Sequence, residues 1–403
     1  MMQANQRPKR HCMIVFARYP LGETRVQREA EALLRQGYEV DVICVRALGE
    51  TAEDDHHGVH IYREPYCFPR PFRKKWGLVG RFLDYIRFFI AARTRLNQLH
   101  QQQPYASVQV HNLPDFLVFC ASALKAQRVP IILDLHDLMP EFYAGRFGQS
   151  DNSLMVRLVR WQERQSCHFA DHVITVSEHW RQSLIQRGVP AHKCSVVMNV
   201  ADEQIFRPIE DVTHSDSEFR LIYHGILVYR YGLDLAIQAV AQLRHDLPNL
   251  RLVLIGNGDY VPQLKEMVQQ LGLHDLVSIQ GLRPAEELAR IIQAAHLGIV
   301  PYRNDVFTDG LLPTKLMEYA ALGLPAIAAR TTAIRAYFSD TMVEFFEPGD
   351  VDDLADCIRR LYNDPARLAE LSIGSEKFNQ RYNWATTSQE YVSLVERLGS
   401  GKP

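Results

Sequence analysis

Charge of either sign is not in excess in this chain. Its 45 Lys and Arg face 47 Asp and Glu over 403 residues, a formal net charge of −2. That balance gives no electrostatic reason to expect nucleic acid as a partner. Cysteine is sparse: Cys12, Cys44, Cys67, Cys120, Cys167, Cys194 and Cys357 lie scattered, mostly in apolar runs and without a CxxC pair. They read as reduced, buried thiols of a cytoplasmic protein rather than as disulfides or a zinc site. No apolar run approaches the ~18 residues of a membrane span. The start, MMQANQRPKRH, has no apolar h-region or cleavage site, so secretion and membrane spanning are not expected. A GxGxxG turn is missing too, since neither ARYPLGETR nor IGNGDY matches it. This argues against a nicotinamide-dependent dehydrogenase.

What is there is alternation. Short apolar runs alternate with amphipathic stretches, the pattern of parallel sheets covered by helices, so the fold class is α/β. Strands are expected at 12–17, 39–45, 107–111, 131–136, 172–177 and 195–198, and again at 220–224, 251–255, 277–280, 297–301, 326–329 and 343–346. A chain of this length exceeds one ordinary core, and two domains of roughly 200 residues follow. The polar, aperiodic stretch 201–218 reads as a linker. The expected organisation is a first doubly wound domain over 1–200, that linker, a second over 219–380, and a C-terminal helix over 381–403 packing back toward the first. In such sheets ligands sit at the carboxyl ends of strands, so the loops there carry the functional weight.

The most telling loop opens residues 311–328, LLPTKLMEYAALGLPAIA. Pro313 suits a helix start. Free backbone N–H groups, the Thr314 hydroxyl and the Lys315 ammonium can then face one anion. A lysine at a helix N-terminus is electrostatically disfavoured unless such an anion is present. Glu318, one turn further, can accept from hydroxyls, although Lys315 is a competing partner three residues away. A phosphate and a polyol held side by side describe a nucleotide-sugar. Three more strand-end loops carry glycines that allow close backbone approach. These are Tyr223-His224-Gly225 to Arg230-Tyr231-Gly232, where Arg230 offers a fork of donors, Gly256-Asn257-Gly258, and Gln280-Gly281-Leu282. Each is also explained by a plain tight turn.

In the first half, one strand ends in His111-Asn112-Leu113-Pro114-Asp115 and the next in His136-Asp137. Two histidines on one rim raise a metal site as a rival reading, but no third ligand has helpful spacing. The loop after the first strand brings Glu23, Thr24, Arg25 and Arg28 to a helix start, where the arginines can equally pair with Glu29 and Glu31. Five basic residues fall within 70–81, and Trp76, Phe82, Tyr85, Phe88 and Phe89 interleave with them. Residues 70–95 therefore read either as a peripheral contact with an anionic membrane or as a domain helix with its apolar face buried.

With these residues in view, the chain resembles the retaining glycosyltransferases of family 4, which have the GT-B fold. The likeness runs through YPLGETRVQREAEALLRQGYEVDVICV, VHNLPDFLVFCASAL, ILDLHDLMPE, DHVITVSEHWRQSL, VVMNVADEQIF, YHGILVYRYGLDLAIQAV, LVLIGNGDYVPQLKEMVQQLGLHDLVSIQGL and PTKLMEYAALGLPAIA. It implies two Rossmann-like domains facing each other across a cleft, the first binding the acceptor and the second a nucleotide-diphosphate sugar. It implies His136, Arg230 and Lys315 as catalytic residues. On the donor side it implies Gly225, Arg230, Gly258, Gly281 and Leu282, with Thr314, Lys315 and Glu318 from the opening helix. On the acceptor side it implies Glu23, Arg25, His111, Asn112 and Asp137. No metal and no other cofactor is implied, and the acceptor is a glycan, lipid-linked or other hydroxyl, in surface or exported polysaccharide synthesis. Two positions depart from the family. Many members carry two glutamates separated by seven residues; the second is Glu318, while the first falls on Gly310, leaving that carboxylate missing or supplied by Asp309. Gly-Arg and Lys-Gly pairs of the first donor loop are replaced at Ile226 and Tyr231. The alternatives are a non-catalytic nucleotide-sugar-binding homologue, a scaffold in a polysaccharide-assembly complex, and a sugar-nucleotide epimerase of the same fold.

Overall fold

A computed structural model of the chain describes residues 8–65, 70–150, 152–213 and 217–400, with the backbone alone over 70–78. Cys67 and the polar start at 1–7 lie outside the described residues, as do the side chains of the basic stretch 70–78, Trp76 included. The other six cysteines are free and buried. The chain forms two compact units, one of Met1–Met198 with Ala385–Pro403 and one of Asn199–Trp384.

The first unit opens with β1 (Arg10–Ile14), α1 (Thr24–Arg35), β2 (Glu39–Arg46), β3 (Glu53–His56), β4 (Val59–Pro65) and α2 (Arg70–Gln102). Then come β5 (Ser107–His111), a 3₁₀ turn (Asp115–Ala121), α3 (Ser122–Ala126), β6 (Ile131–Leu135), α4 (Met139–Phe147) and α5 (Leu154–Phe169). The sequence continues through β7 (His172–Thr175), α6 (Glu178–Gln186) and β8 (Cys194–Val196). The eight strands lie in the order β3-β4-β2-β1-β5-β6-β7-β8. Every pairing is parallel except β3 with β4. Strands β1, β5 and β6 are buried along their whole length. Covering on both faces is what makes such strands read as short apolar runs. The antiparallel hairpin β3–β4 has no such run, because the strand EDDH is almost wholly exposed at the sheet edge. Sequence reading passes over it for that reason.

The second unit holds β9 (Phe219–Ile226), α7 (Leu233–Leu243), β10 (Leu250–Asn257), α8 (Val261–Gln270), β11 (Val277–Gln280), α9 (Ala285–Gln293) and β12 (Leu297–Val300). These are followed by α10 (Thr314–Ala321), β13 (Ala326–Ala329), α11 (Thr332–Tyr337), β14 (Glu344–Phe346), α12 (Val351–Asn363) and α13 (Pro365–Arg381). Its all-parallel sheet has the order β11-β10-β9-β12-β13-β14. Strand order reverses between β9 and β12 here, and between β1 and β5 in the first unit. Crossovers leave opposite faces at such points and open a crevice at the carboxyl ends. The expected linker is not free chain: Gln293 both accepts from the Ile209 N–H and donates to its carbonyl, each at 2.8 Å. Phe206 is buried beside it.

The last helix, α14 (Trp384–Gly399), places its residues from Ala385 onward in the first unit. Tyr391 is fully buried and donates to Gln109 Oε1 on β5 at 2.7 Å. Tyr391→Phe leaves that acceptor unpaired in the core and should cost about 1–2 kcal/mol of unfolding free energy. Urea unfolding checks this against Gln389→Ala, an exposed neighbour expected to change almost nothing. Equal stability of Tyr391→Phe and wild type would contradict the anchoring role.

Candidate functional site

At the switch point of the second unit, β9 ends in Tyr223-His224-Gly225, Tyr302 stands just beyond β12, and α10 begins. Pro313 is the residue before the helix, with extended φ −75° and ψ 124°. Lys315 is no solvated surface lysine; it is only 7% exposed. Its ammonium donates to the Tyr302 hydroxyl at 2.7 Å. It also lies 4.9, 5.2 and 5.0 Å from the ring centres of Tyr223, Tyr231 and Tyr302. Cation–π attraction partly replaces lost hydration in such a cage. Burial nevertheless pulls Lys315 down to about 8, with Glu318 opposing the shift. A lysine so placed is a charge held ready for an anion.

Glu318 finds its close partner outside its own helix: Oε2 lies 3.1 Å from Nε2 of the buried His224. A side chain built on Gly225 would touch Lys315 Cε at 3.5 Å, and the backbone there has φ +118°. Glycine keeps this strand end open beside the ammonium. Gly258 has a different reason, since a Cβ would meet the Leu227 carbonyl at 1.9 Å. Close packing of two strand-end loops accounts for it without a ligand. Gly281 has open space around it, and Leu282 is exposed. The guanidinium of Arg230 lies 5.0 Å from the centre of the Phe307 ring. Asp309 does not stand free in place of the absent glutamate: its Oδ1 and its carbonyl accept from the Thr332 and Ala333 N–H groups, both at 2.9 Å, at the start of α11.

The first unit gathers a polar cluster at the ends of β5 and β6. Asp134 is completely buried. Arg25 grips both of its oxygens at 3.0 Å, Gln109 donates at 3.2 Å, and His111 Nδ1 lies at 3.2 Å. His136 Nε2 is 3.6 Å from the same carboxylate and 3.1 Å from His111 Nδ1. Arg25 also meets Glu29 at 3.1 Å and donates to the Val197 carbonyl at 2.8 Å. Burial would raise the Asp134 carboxyl, but Arg25, then the two histidines, hold it well below the usual carboxylate range. Burial lowers His111 to about 4. At His136 burial also favours the neutral ring, yet the Asp134 charge outweighs it and the pKa rises. Glu29 is lifted to about 8, chiefly by burial.

These positions revise several expectations. Asp134, two residues before His136, completes a trio whose ligand atoms lie within 4.8 Å of one another. It is the third partner that spacing alone does not reveal, because it sits inside a strand. The bidentate Arg25 already supplies the positive charge that this carboxylate needs. Arg25 is 4% exposed and holds the cluster internally instead of presenting itself as an acceptor contact. Asn112 is likewise committed: its amide donates to Asp115 Oδ1 and the Asp137 carbonyl, and its oxygen accepts from the His136 N–H at 2.8 Å. His111 is fully buried, while Glu23, His136 and Asp137 are half-buried at the rim. Sequence reading overlooked Tyr302 and Asp134, and it placed Tyr223 and His224 in the first donor loop without giving either a role. Tyr302 stands at a strand end, where that signal was available.

Both halves of the chain match known families. Residues 22–204 match the family described as Glycosyltransferase Family 4, and residues 207–378 match Glycosyl transferases group 1. The chain is 27% identical over 231 residues to the amylovoran biosynthesis glycosyltransferase AmsK of Erwinia amylovora, a match that spans 56% of each chain. It is 32% identical over 307 residues to D-inositol 3-phosphate glycosyltransferase 1 of Catenulispora acidiphila, spanning 70% of this chain and 71% of that one. In fold it is similar to the Anabaena protein HepE solved in complex with UDP-glucose, with a TM-score of 0.70 at 17% identity over 96% of this chain and 99% of that one. With two doubly wound units, a lysine–glutamate helix start at the second switch point and both halves matched, this chain belongs to the group 1 glycosyltransferases of family 4, with the GT-B fold.

Proposed function

We propose that the chain moves a sugar from a nucleotide-diphosphate donor to a hydroxyl acceptor, with retention of configuration and without a metal ion. The acceptor class proposed is a glycan or lipid-linked glycan of a surface or exported polysaccharide, in keeping with the amylovoran relative. The observation that carries the reading is the buried, tyrosine-caged Lys315 at the start of α10, with Glu318 one turn further along. Breaking the bond between anomeric carbon and diphosphate builds charge on the leaving oxygens. Preplaced cations and N–H groups answer that need. In this reading Lys315, Arg230 and the helix start at Thr314 stabilise the diphosphate. Glu318, oriented by His224, accepts from the ribose hydroxyls. Gly225 leaves room for the phosphates, and the backbone at Gly281-Leu282 faces the base. His136, whose protonation the Asp134 charge favours, is the catalytic residue of the first unit, and Glu23 and Asp137 serve the acceptor side. The acceptor oxygen attacks the same face that the diphosphate leaves, and the leaving phosphate oxygen takes the acceptor proton. No separate general base is assigned. Residues 70–95 are proposed to touch the membrane from which a lipid-linked acceptor would be met. HepE, solved with UDP-glucose, supports a nucleotide-sugar as donor.

A non-catalytic, donor-binding relative is the second reading, favoured by Ile226 and Tyr231 where many members carry cations and by the engagement of Asp309 with α11. Thermal-shift measurement with UDP, GDP and ADP, followed by a transfer assay, separates the two. Stabilisation by one nucleotide together with transfer supports the enzyme. Stabilisation without transfer supports the binding relative, and no stabilisation by any of the three overturns both. Lys315→Ala removes a charge-assisted bond of ~1.5–3 kcal/mol and should lower turnover on the order of 10- to 100-fold or more. Unchanged kinetics in the folded variant would falsify the diphosphate assignment.

The depressed Lys315 also sets a pH dependence. Free protein loses the Lys315 proton near pH 8, whereas bound diphosphate favours the charged form and keeps it to higher pH. Above pH 8, binding must therefore take up a proton, so nucleotide affinity should fall by up to about tenfold per pH unit. Titration calorimetry between pH 7 and 10 checks this, with Lys315→Met expected to give a flat profile. EDTA is expected to leave transfer intact; strong inhibition that added divalent metal restores would return the His111–Asp134–His136 trio to consideration.

A further inference from the structure

Helix α5 carries apolar side chains on its outer side as well as its inner one. Its buried side carries Val156, Glu163, Ser166 and Cys167. Its outer side carries Leu154, Met155, Leu158 and Trp161, which are 80, 47, 53 and 59% exposed. Helix α2 presents a second outward stripe: Val79, Phe82, Ile86 and Ile90, spaced by three or four residues, are 57, 56, 36 and 59% exposed. Residues at that spacing share one helix face. A helix facing only water has no reason to place leucine, phenylalanine and tryptophan there.

Both helices lie on one face of the first unit's sheet. The crossovers β4–α2–β5 and β6–α4–α5–β7 move in the same direction across the strand order, and right-handed connections then put their helices on the same side. The 3₁₀ turn Asp115–Ala121 packs against both. Phe116 meets Tyr85 and Phe89 of α2 at ring distances of 6.3 and 6.4 Å, and Phe119 meets Phe169 of α5 at 4.9 Å.

The exposed charges of these two helices are of one sign. Arg81, Arg87 and Arg93 of α2 and Arg157 and Arg164 of α5 are exposed. The two helices contain one carboxylate each, Asp84 and Glu163, and both are buried. In a chain of net charge −2 this is a segregated basic and apolar surface. Arginines that reach phosphates while Trp and Leu enter the headgroup boundary suit an anionic bilayer surface. We propose that α2 and α5 together form a docking face for a membrane rich in anionic phospholipid, with Leu158 and Trp161 as the inserted residues of a second contact helix. This extends the membrane contact proposed for residues 70–95 and is independent of the donor assignment.

Flotation of the full chain with vesicles of phosphatidylcholine alone, and of phosphatidylcholine with phosphatidylglycerol, tests it. Wild type should float with the anionic vesicles, release at high salt, and stay behind with the neutral ones. Leu158→Glu with Trp161→Glu should weaken partitioning on the order of tenfold or more, as should Phe82→Glu with Ile90→Glu. Ile373→Glu, at an exposed apolar position of the second unit, should match wild type. The blue shift of tryptophan emission on adding anionic vesicles should shrink in the conservative Trp161→Phe, with Trp76 of the 70–95 stretch left to report the remainder. Retained stabilisation by nucleotide shows that a variant is folded, and a wild type that floats without binding any nucleotide would fault only the donor reading. Undiminished flotation of the α5 variant overturns the proposal. So does wild type that fails to float and instead forms a dimer lost in Trp161→Glu, which would assign this face to a second copy of the chain.

Discussion

Burying a charge costs several kcal/mol unless partners surround it, and each unit buries one at the carboxyl edge of a parallel sheet. In the first unit the charge is the Asp134 carboxylate, completed by Arg25, Gln109 and the two histidines. In the second it is the Lys315 ammonium, held by the Tyr302 hydroxyl and three aromatic faces. The two are satisfied to different degrees. Asp134 has donors on every side and is pinned in its charged form. Lys315 has one neutral acceptor and ring faces, so its charged form is less secure. The first arrangement is suited to holding a framework, the second to receiving an anion.

That difference organises the surroundings. Two histidines beside Asp134 on the same rim go opposite ways: burial lowers His111 despite that carboxylate, whereas at the half-buried His136 the Asp134 charge outweighs burial and raises it toward the charged form. The same network reaches the chain's last helix, because Gln109 donates to Asp134 and Glu29 while accepting from Tyr391. In the second unit, Tyr231 stacks on Tyr302 at 4.4 Å and completes the cage.

The helices covering the first sheet show how a fold can be satisfied while its surface is not. Buried glutamate and serine on the inner side of α5 are tolerated because Arg187 donates to Glu163 at 2.8 Å and Gln162 to Ser166 at 2.7 Å. Leu154, Met155, Leu158 and Trp161 of this helix are left on the outside. Internal polar pairing and external apolar exposure are two sides of one arrangement, and only the second has an obvious use beyond stability.

The alternation of apolar runs by itself determined the α/β class and most strand positions; 107–111, 277–280 and 326–329 coincide with the observed strands. Strands covered on both faces must be apolar along their length, and that is a local property. The Pro-Thr-Lys helix start and the two strand-end histidines were legible for a similar reason, being polar residues where packing does not call for them. Partners were not. The β3–β4 hairpin has an acidic, exposed edge strand without an apolar signal. Asp134 looked like strand interior until β5, β6 and α1 converged on it. Gly258 looked like a ligand loop and is explained by the Leu227 carbonyl. Burial of Lys315 depends on tyrosines that lie up to 92 residues away along the chain and meet only because β9 and β12 are adjacent in the sheet. Residue type and spacing decide local conformation. Which charges are buried, and what compensates them, is decided by strand order.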